Sequence, residues 1–475
     1  MIPAAADLRG LRPELIVAGA ALLVMVWATF LPPYRQQLLR WLSAAALVAA
    51  TWQVLVLGAG GAPVFNGMYV RDGTTLVLQV AALVTALVAL ALAGDYVERA
   101  HLEAGEFYAL VLIAALGAMV MAASTDLIMV FLGLETLSIP LYVLAAFARA
   151  DLRSQEAGLK YFLLGAFSTV FFIYGIALIY GAGGTTSLIR LAADASDSRL
   201  LRVGLGLLLI GLAFKAAVVP FHAWVPDVYE GAPLPVTAYM SAIAKVGAFA
   251  ALLRVLPAML GAVAQWTEIL ALLSVLTMAL GNLAALRQTS LKRLLAYSSI
   301  AHAGFLLIGV AAGTAQGAWA VAFYLLTYTF MTLGAFAVAL TVTRRGGEAD
   351  RIEDLTGLAW RSPALAAAMA IFMVSLAGLP PTGGFVAKFY VFAAALDAGQ
   401  PTLAIVGVLA AVISAYFYLR VAYTMFSGEP HLEVTFAGDR WLAAALVVAV
   451  AAVLALGIFP SPVTAFVQQL AQAWR

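Results

Sequence analysis

Long apolar stretches recur along almost the whole chain, and they restrict the fold more than any other feature. About fourteen of them are long enough, at roughly 20 residues, to cross the ~30 Å hydrocarbon layer of a membrane. The alternating pattern of strands is absent, which argues against a membrane barrel. The sequence therefore predicts an all-α polytopic membrane protein. The predicted spans are 14–31, 38–58, 74–94, 107–123, 126–148, 160–182, 202–224, 236–256, 267–286, 294–312, 317–343, 363–396, 402–427 and 440–459.

Composition excludes several other classes of protein. Of the 475 residues, 64% are hydrophobic and 11% are charged, whereas soluble domains carry about 25% charged residues. The net charge of +2 is too small to indicate a polyanionic partner, so no nucleic acid is expected. A chain without cysteine has no disulfide, thiolate metal site or iron–sulfur cluster, and only four histidines are present. We therefore expect any chemistry to depend on a few ionisable groups.

Lysine and arginine are distributed unevenly between the two ends of the spans. If the N-terminus lies outside, 15 of them fall at inside loops and helix ends and 8 at outside ones. The positive-inside rule therefore places both termini outside, which is the periplasm for a bacterial inner membrane. The inside loop 225–235 departs from this rule, because it contains Asp227 and Glu230 but no lysine or arginine. Contact with another subunit is the one explanation that we find in the sequence.

Five ionisable side chains fall inside the predicted spans, although a charge at mid-bilayer costs about 3 kcal/mol or more. One carboxylate cannot neutralise three amines, so at least one lysine must be hydrated, neutral or paired with another chain. A carboxylate close to a buried amine holds the proton on it, and the proton leaves more readily when the carboxylate withdraws. Such a set could therefore carry protons across the membrane. The five residues are Glu135, Lys215, Lys245, His302 and Lys388.

Each of these residues also has a structural alternative. A lysine can extend to the lipid headgroups, or it can form an ion pair that only holds helices together. His302 has Ser298 and Ser299 one turn earlier on the same face, so it can be a hydrogen-bonded structural histidine. The hypothesis of proton transfer therefore depends on how these side chains are placed.

Other polar side chains could line a water path or form hydrogen bonds between helices. Those on one helix lie three or four residues apart, which places them on one face. Tyr324, Thr327 and Tyr328 share one face of the eleventh span, Ser241 lies one turn before Lys245, and Ser414 lies one turn before Tyr418.

Two spans contain helix-breaking residues close to a buried lysine. Pro220 follows Lys215 in the seventh span, and the run 378–385, which contains two prolines and three glycines, precedes Lys388 in the twelfth. Proline removes a backbone donor and kinks a helix. Broken helices at membrane depth are tolerated where they line protein or water, as they do in transporters. We therefore expect helices 7 and 12 to be broken, with a kink made only for packing as the alternative.

The ionisable residues recur at an offset of five spans. Lys215 and Lys388 are 173 residues apart, and Glu135 and His302 are 167 apart. An odd number of spans inverts the second copy, so helices 4–8 and 9–13 are predicted to be inverted repeats. The predicted segments are an N-terminal three-helix segment (1–106), the first repeat (107–256), the second repeat (267–427), and a C-terminal helix with an interfacial tail (440–475).

The C-terminal tail has the pattern of a short helix lying at the membrane surface. Phe466, Leu470 and Trp474 recur at helical spacing. This pattern predicts an interfacial helix between Pro460 and Arg475.

Four runs of residues form recognisable motifs, of which Phe-His-Ala-Trp-Val-Pro-Asp-Val-Tyr-Glu-Gly-Ala-Pro-Leu-Pro-Val-Thr is the most specific. They resemble the subunit N family of proton-pumping NADH:quinone oxidoreductase, respiratory complex I, which is homologous to subunits of multisubunit sodium/proton antiporters. The resemblance covers nearly the whole chain. The Asp-Val-Tyr after the proline favours subunit N, and lysine at 388 argues against subunit M, which carries glutamate there. The four runs are 131–140, 221–237, 290–304 and 375–389.

The resemblance implies a role for each buried ionisable residue. Glu135 and Lys215 match the coupling pair of the inward half-channel, and Lys245 matches the connecting lysine. His302 matches the histidine of the central axis, and Lys388 matches the lysine on the exit side. The chain would thus be a non-redox subunit of a proton-translocating enzyme.

The resemblance also implies where the remaining chemistry lies. No cofactor is expected in this chain, because FMN, the iron–sulfur clusters and the quinone site belong to partner subunits. The expected partners are the neighbouring antiporter-like subunit and small subunits of the membrane arm. Two alternatives stay open: a subunit of a multisubunit Na⁺/H⁺ antiporter, and a scaffold whose buried charges are structural.

Overall fold

A computed structural model describes residues 5–32, 35–193, 198–260, 266–344, 347–430 and 434–471. The helices are α1 (Ala5–Gly10), α2 (Arg12–Phe30), α3 (Gln37–Leu57), α4 (Gly73–Arg99), α5 (Ala104–Ala123), α6 (Leu127–Ala145), α7 (Leu152–Gly183), α8 (Leu188–Ala193), α9 (Arg199–Ala216), α10 (Trp224–Gly231), α11 (Leu234–Leu260), α12 (Trp266–Ala285), α13 (Leu291–Ala311), α14 (Ala315–Thr341), α15 (Leu358–Arg361), α16 (Pro363–Ala377), α17 (Gly383–Asp397), α18 (Pro401–Phe426), α19 (Arg440–Ile458) and α20 (Ser461–Ala471). The strands are β1 (Gly61–Val64), β2 (Tyr69–Arg71), β3 (Val342–Arg344), β4 (Gly347–Glu348) and β5 (Val434–Phe436).

The strands form two small antiparallel sheets in the connections between helices. β1 pairs with β2, and β3 lies between β4 and β5. They therefore join loops at the ends of the helices and take no part in the helical core.

The described residues contain twelve helices that are long and apolar enough to cross a membrane. The prediction of an all-α polytopic membrane protein is therefore confirmed. Twelve of the fourteen predicted stretches coincide with these helices. The other two, 202–224 and 363–396, are interrupted, so the chain does not form fourteen continuous spans. Helix α7 begins eight residues before its predicted start, because the Asp151 carboxylate accepts a hydrogen bond from the Arg153 backbone and caps it there.

The core of the bundle is formed by α11, α13 and α14. In their most apolar stretches of 18 residues, these helices have 100%, 94% and 89% of the residues buried, whereas α2, α7 and α19 each have 33% buried. Lipid or partner subunits must therefore cover the exposed apolar faces of the outer helices. Two of the candidate residues, Lys245 on α11 and His302 on α13, belong to the central helices.

The seventh span is broken directly after Lys215, as predicted. Helix α9 ends at Ala216, and Ala217 takes a left-handed conformation with φ of +65°. The chain then passes through Pro220 and begins α10 at Trp224. Lys215 therefore lies in the last turn of a half-helix that ends inside the protein.

The twelfth span is broken in the same way, as predicted. Helix α16 ends at Ala377, Gly378 has φ of +82°, and α17 begins at Gly383. A residue with a side chain is strained at this φ, so glycine suits the end of α16. Lys388 lies on α17, one turn and a half beyond the break.

The acidic segment 225–235, predicted as a loop, is mostly helix α10, and its carboxylates find partners within the chain. The Asp227 carboxylate pairs with Lys160 at 2.8 Å and with Arg293 at 3.2 Å, and Glu230 pairs with Arg293 at 2.6 Å. Lys160 lies in the third turn of α7, and Arg293 lies in the first turn of α13. The N-terminal parts of these two helices therefore lie on the same side of the bundle. Contact with another subunit is thus not needed to explain why this segment departs from the positive-inside rule.

Replacing Asp227 by asparagine is expected to lower stability slightly at neutral pH. The hydrogen bond from Lys160 holds the pKa of the Asp227 carboxyl below its usual value of about 4. The pair therefore contributes stability above that value and loses it as the pH falls through the lowered pKa. The side chains are partly exposed, so the change should be at most about 1 kcal/mol. Thermal unfolding at pH 7 and pH 3 measures it, and a larger difference between variant and parent at pH 3 would contradict this account.

The C-terminal tail begins as predicted. Helix α20 starts at Ser461, and the Phe466 side chain is exposed. The side chain of Leu470 and all of Trp474 lie outside the described residues, so the predicted apolar stripe is described only at Phe466.

Candidate functional site

Three lysines and one histidine are buried inside the helical bundle. Their exposed fractions are 2% for Lys215, 2% for Lys245, 1% for His302 and 3% for Lys388. A lysine that reached the lipid headgroups would expose its amine, so this alternative does not fit. Glu135 differs from them, because it is only half-buried on α6.

Lys215 is surrounded by tyrosines. Its amine donates a hydrogen bond of 3.1 Å to the Tyr161 hydroxyl on α7, and it lies 5.1 Å and 5.4 Å from the ring centres of Tyr161 and Tyr142. Cations are attracted to the faces of aromatic rings, so the two rings partly replace water molecules as partners of the Lys215 ammonium group.

Glu135 lies near Lys215 without touching it. The Glu135 carboxylate accepts a hydrogen bond of 2.8 Å from Thr169, and no ion pair joins it to Lys215 in the part of the chain that the structure describes. Tyr142 is seven residues after Glu135 on α6, which places both on one face two turns apart. The Tyr142 ring, which lies 5.4 Å from the Lys215 amine, is therefore on the same face of α6 as Glu135.

The broken end of α9 is closed by a side chain of α10. The indole nitrogen of Trp224 donates a hydrogen bond of 3.1 Å to the backbone oxygen of Phe214. The Trp224 ring also stacks on Tyr161, with 4.3 Å between ring centres and 8° between planes. Since Tyr161 holds the Lys215 amine, this stack fixes the amine relative to the break.

Lys245 lies at the centre of α11 with few polar neighbours. Its amine is 5.8 Å from the ring centre of Tyr328 on α14. It forms no hydrogen bond or ion pair with any residue that the structure describes. A charged amine in such surroundings requires water, because it has three donors to satisfy.

His302 is held between two tyrosine hydroxyls. Its Nδ1 is 2.7 Å from the hydroxyl of Tyr324, and its Nε2 is 3.2 Å from the hydroxyl of Tyr418. The Tyr418 hydroxyl also contacts the Ser298 hydroxyl. Tyr324 and Tyr418, noted in the sequence as lining candidates, are thus the direct partners of the histidine.

Lys388 caps the first half of the broken twelfth span. Its amine donates hydrogen bonds of 3.0 Å and 2.9 Å to the backbone oxygens of Leu376 and Ala377, the last residues of α16. A cation at the C-terminus of a helix is also favoured by the helix dipole. The amine lies 4.5 Å from the ring centre of Phe305, and a Cβ at Gly378 would come within 2.6 Å of the Lys388 stem.

Aromatic rings connect three of the buried residues in order. Tyr328 lies next to Lys245 and 5.1 Å from the His302 ring, while Phe305 lies 5.9 Å from His302 and next to Lys388. The structure thus brings Lys245, His302 and Lys388 into one row, but no direct hydrogen bond joins them among the described residues. Proton movement along the row would need water between them.

Some members of this site could not be found in the sequence by spacing. Phe305 is three residues after His302, and Tyr142 is seven after Glu135. Helical spacing therefore places each pair on one face of its helix. Tyr161 and Trp224 reach Lys215 from other helices, and no local pattern marks such contacts. Among the described residues no group of three His, Cys, Asp or Glu side chains could hold a metal ion.

Comparison with known proteins gives a consistent assignment. The sequence model of the family described as NADH:quinone oxidoreductase/Mrp antiporter, TM, matches residues 124–414. NADH-quinone oxidoreductase subunit N from Trichlorobacter lovleyi is 44% identical over 474 residues, which cover 98% of this chain and 96% of the relative.

Two solved structures have the same fold. A chain of respiratory complex I from Thermus thermophilus with bound aureothin is 40% identical, with a TM-score of 0.83, over 95% of this chain and 98% of that chain. A chain of the Mrp complex from Dietzia sp. also has a TM-score of 0.83, at 25% identity, over 98% and 97% of the two chains. The resemblance found in the sequence is confirmed: the chain belongs to the NADH:quinone oxidoreductase/Mrp antiporter transmembrane family, and within it to the subunit N group.

Proposed function

We propose that this chain is a proton-translocating subunit in the membrane arm of a NADH:quinone oxidoreductase. The observation that carries the proposal is the row of buried ionisable residues, in which no lysine reaches the membrane surface. Full-length similarity to subunit N supports the assignment of the complex. The redox groups, FMN, iron–sulfur clusters and quinone, would be bound by partner subunits, which include the neighbouring antiporter-like subunit and small subunits of the membrane arm.

The first step would take place at Glu135 and Lys215. With Glu135 nearby, the Lys215 amine holds its proton, because an opposite charge favours the ammonium form. If redox chemistry elsewhere draws Glu135 away, Lys215 keeps only the Tyr161 hydroxyl and two ring faces as partners. The proton then moves through water to Lys245.

The later steps would follow the row of central residues. From Lys245 the proton passes to His302, whose two ring nitrogens face hydroxyl groups and can accept on one side while releasing on the other. It then reaches Lys388 at the second helix break and leaves on the outside. The distances between these residues exceed direct hydrogen bonds, so transient water completes the path.

The organisation of the chain agrees with this path. We propose that residues 107–256 and 267–427 are inverted repeats, each with one broken helix. Residues 1–106 would form the N-terminal segment and 440–475 the C-terminal one. The lysine and arginine bias supports a bacterial inner membrane orientation in which both termini are periplasmic.

A second candidate is a subunit of a multisubunit Na⁺/H⁺ antiporter. The similarity to a chain of the Mrp complex favours it in part, because both share one fold over almost their full length. The identity to that chain is 25%, against 40% for the complex I chain. Purification of the native complex separates the two, since an antiporter would contain neither flavin nor iron.

The test of the proposed function is Lys215→Ala in the intact complex. We expect coupled proton pumping and quinone reduction to fall at least about fivefold, while the subunit remains assembled, because the first proton acceptor is lost. Pumping in inverted vesicles, NADH:quinone activity and native gel analysis measure the three quantities. A variant that assembles and pumps at the normal ratio would show that the lysine is structural.

A further inference from the structure

A charged cavity opens at the inside end of the central helices. Its volume is about 490 Å³, and seven of its thirteen lining residues are Asp, Glu, Lys or Arg. Part of its wall is formed by Ala232 and Pro233, at the start of α11. The cavity therefore brings solvent to the base of the most deeply buried helix.

The Glu348 carboxylate links the helices that form the cavity wall. Glu348 accepts hydrogen bonds of 2.9 Å from the Tyr96 hydroxyl on α4 and 3.2 Å from the backbone nitrogen of Leu234, and it pairs with Lys292 on α13. Lys292 in turn donates to the backbone oxygen of Ala232 at 3.2 Å. These contacts tie α4, α11 and α13 around the opening, so the cavity is part of the folded core.

A polar stripe on α11 begins at Thr237, whose backbone nitrogen donates a hydrogen bond of 2.9 Å to the oxygen of Pro233 in the cavity wall, and ends at Lys245. Thr237, Ser241 and Lys245 follow each other at intervals of four residues, so they share one face of the helix. All three are buried. At 1.5 Å per residue the stripe covers about 12 Å.

The two hydroxyls of the stripe are fully buried and donate to backbone oxygens. Thr237 donates to the backbone oxygen of Tyr229 at 3.0 Å, and Ser241 donates to that of Ala238 at 2.7 Å. Each oxygen keeps lone pairs that can accept a hydrogen bond from water. Lys245 at the end of the stripe has no carboxylate partner among the described residues, so its neutral amine can accept a proton.

We propose that the cavity is a proton-uptake vestibule that serves Lys245 along Thr237 and Ser241, separately from Glu135 and Lys215. The inference rests on the proposed function of proton translocation. A proton taken from solvent passes between water molecules held by the two hydroxyls and binds to the lone pair of the Lys245 amine. Only O–H and N–H bonds form and break: each water molecule releases one proton as it accepts another, and solvent supplies the proton that binds to Lys245.

Blocking the vestibule tests this proposal directly, because the chain contains no native cysteine. Ala148→Cys places a thiol in the cavity wall, and Ala150→Cys places one two residues away on the exposed surface. A cationic, membrane-impermeant methanethiosulfonate reagent, applied to inverted vesicles, forms a mixed disulfide with the thiol and releases a sulfinate. We expect labelling of Ala148→Cys to lower pumping at least about twofold, and dithiothreitol to restore it.

The controls separate blocking from other effects. Labelled Ala150→Cys and the reagent-treated parent complex should pump normally, and NADH oxidation by an artificial acceptor should be unchanged. Mass spectrometry of the subunit gives the extent of labelling. Complete labelling of Ala148→Cys with normal pumping would overturn the proposal, and so would the absence of labelling from the inside face.

Removal of the hydroxyl next to Lys245 gives a second test. Ser241→Ala should slow pumping about twofold to fivefold and increase the solvent isotope effect in D₂O, because proton transfer then limits the rate. Ser43→Ala is the matched control, since Ser43 is also buried and bonded to its own helix, at 2.8 Å from the Leu39 oxygen. Normal pumping and an unchanged isotope effect in assembled Ser241→Ala would overturn the route.

The results also distinguish this proposal from the proposed function. If Lys215→Ala stops pumping while Ser241→Ala and labelled Ala148→Cys pump normally, only the vestibule is wrong. If Lys215→Ala pumps normally, the step at Lys215 is wrong, and if Ser241→Ala and labelled Ala148→Cys also pump normally, proton translocation by this chain is itself rejected.

Discussion

Replacement of Lys388 by arginine is expected to abolish proton pumping while the subunit still assembles. A guanidinium group can donate to the backbone oxygens of Leu376 and Ala377, as the amine does, and thereby cap α16. Arginine remains charged in proteins, so it cannot release a proton. We therefore expect pumping at background level with near-normal subunit content, measured in vesicles and by native gels.

Lys388→Ala is the companion variant that isolates the structural role. It removes two charge-assisted hydrogen bonds, each worth about 1.5–3 kcal/mol, and leaves two buried carbonyls without their donor. Assembly should therefore fall in Lys388→Ala but not in Lys388→Arg. If Lys388→Arg pumped normally, Lys388 would be a cap and nothing more, and the exit side of the proposed path would have to be sought elsewhere.

Gly384→Ala is expected to prevent the subunit from accumulating in the membrane. A Cβ at this position would lie 1.8 Å from the backbone oxygen of Ser375, so α17 would have to move away from α16. Overpacking of this kind costs about 1–3 kcal/mol or more, and the displacement would also separate Lys388 from the carbonyls it caps. Immunodetection of the subunit in membranes measures the loss.

The matched control for this variant is Gly206→Ala. Gly206 lies on α9, and a Cβ there would meet no atom closer than 3.9 Å. Alanine also favours helix over glycine by about 1 kcal/mol, so this variant should accumulate normally. Normal accumulation of Gly384→Ala would mean that the two half-helices can separate without loss of the fold.

Much of the fold was predictable because the membrane imposes simple rules on a sequence. The length of the apolar stretches predicted twelve helices that the structure contains. Proline in the seventh span, and prolines with glycines in the twelfth, predicted the two helix breaks. Those signals are local: Pro220 and Gly378 act on the backbone where they stand. The five ionisable residues were recognisable for the same reason, since a charge in an apolar stretch needs no partner to be noticed.

Long-range contacts could not be predicted from one sequence. Nothing near Lys388 shows that its amine would cap α16, because the cap depends on how the chain turns through the break. The partners of Asp227 come from the starts of α7 and α13, far along the chain. Glu348 lies in strand β4, in the connection that follows α14, and only the folded chain places it beside the start of α11.

The flat rings beside the buried amines have an electrical consequence. Tyr161, Tyr328 and Phe305 each lie against one lysine, and the Phe305 ring carries no exchangeable proton. Each ring separates its amine from the next group of the row, so hydrogen ions return down their gradient only when water molecules bridge these places. The rings would then limit how many protons leak back through the subunit between pumping cycles.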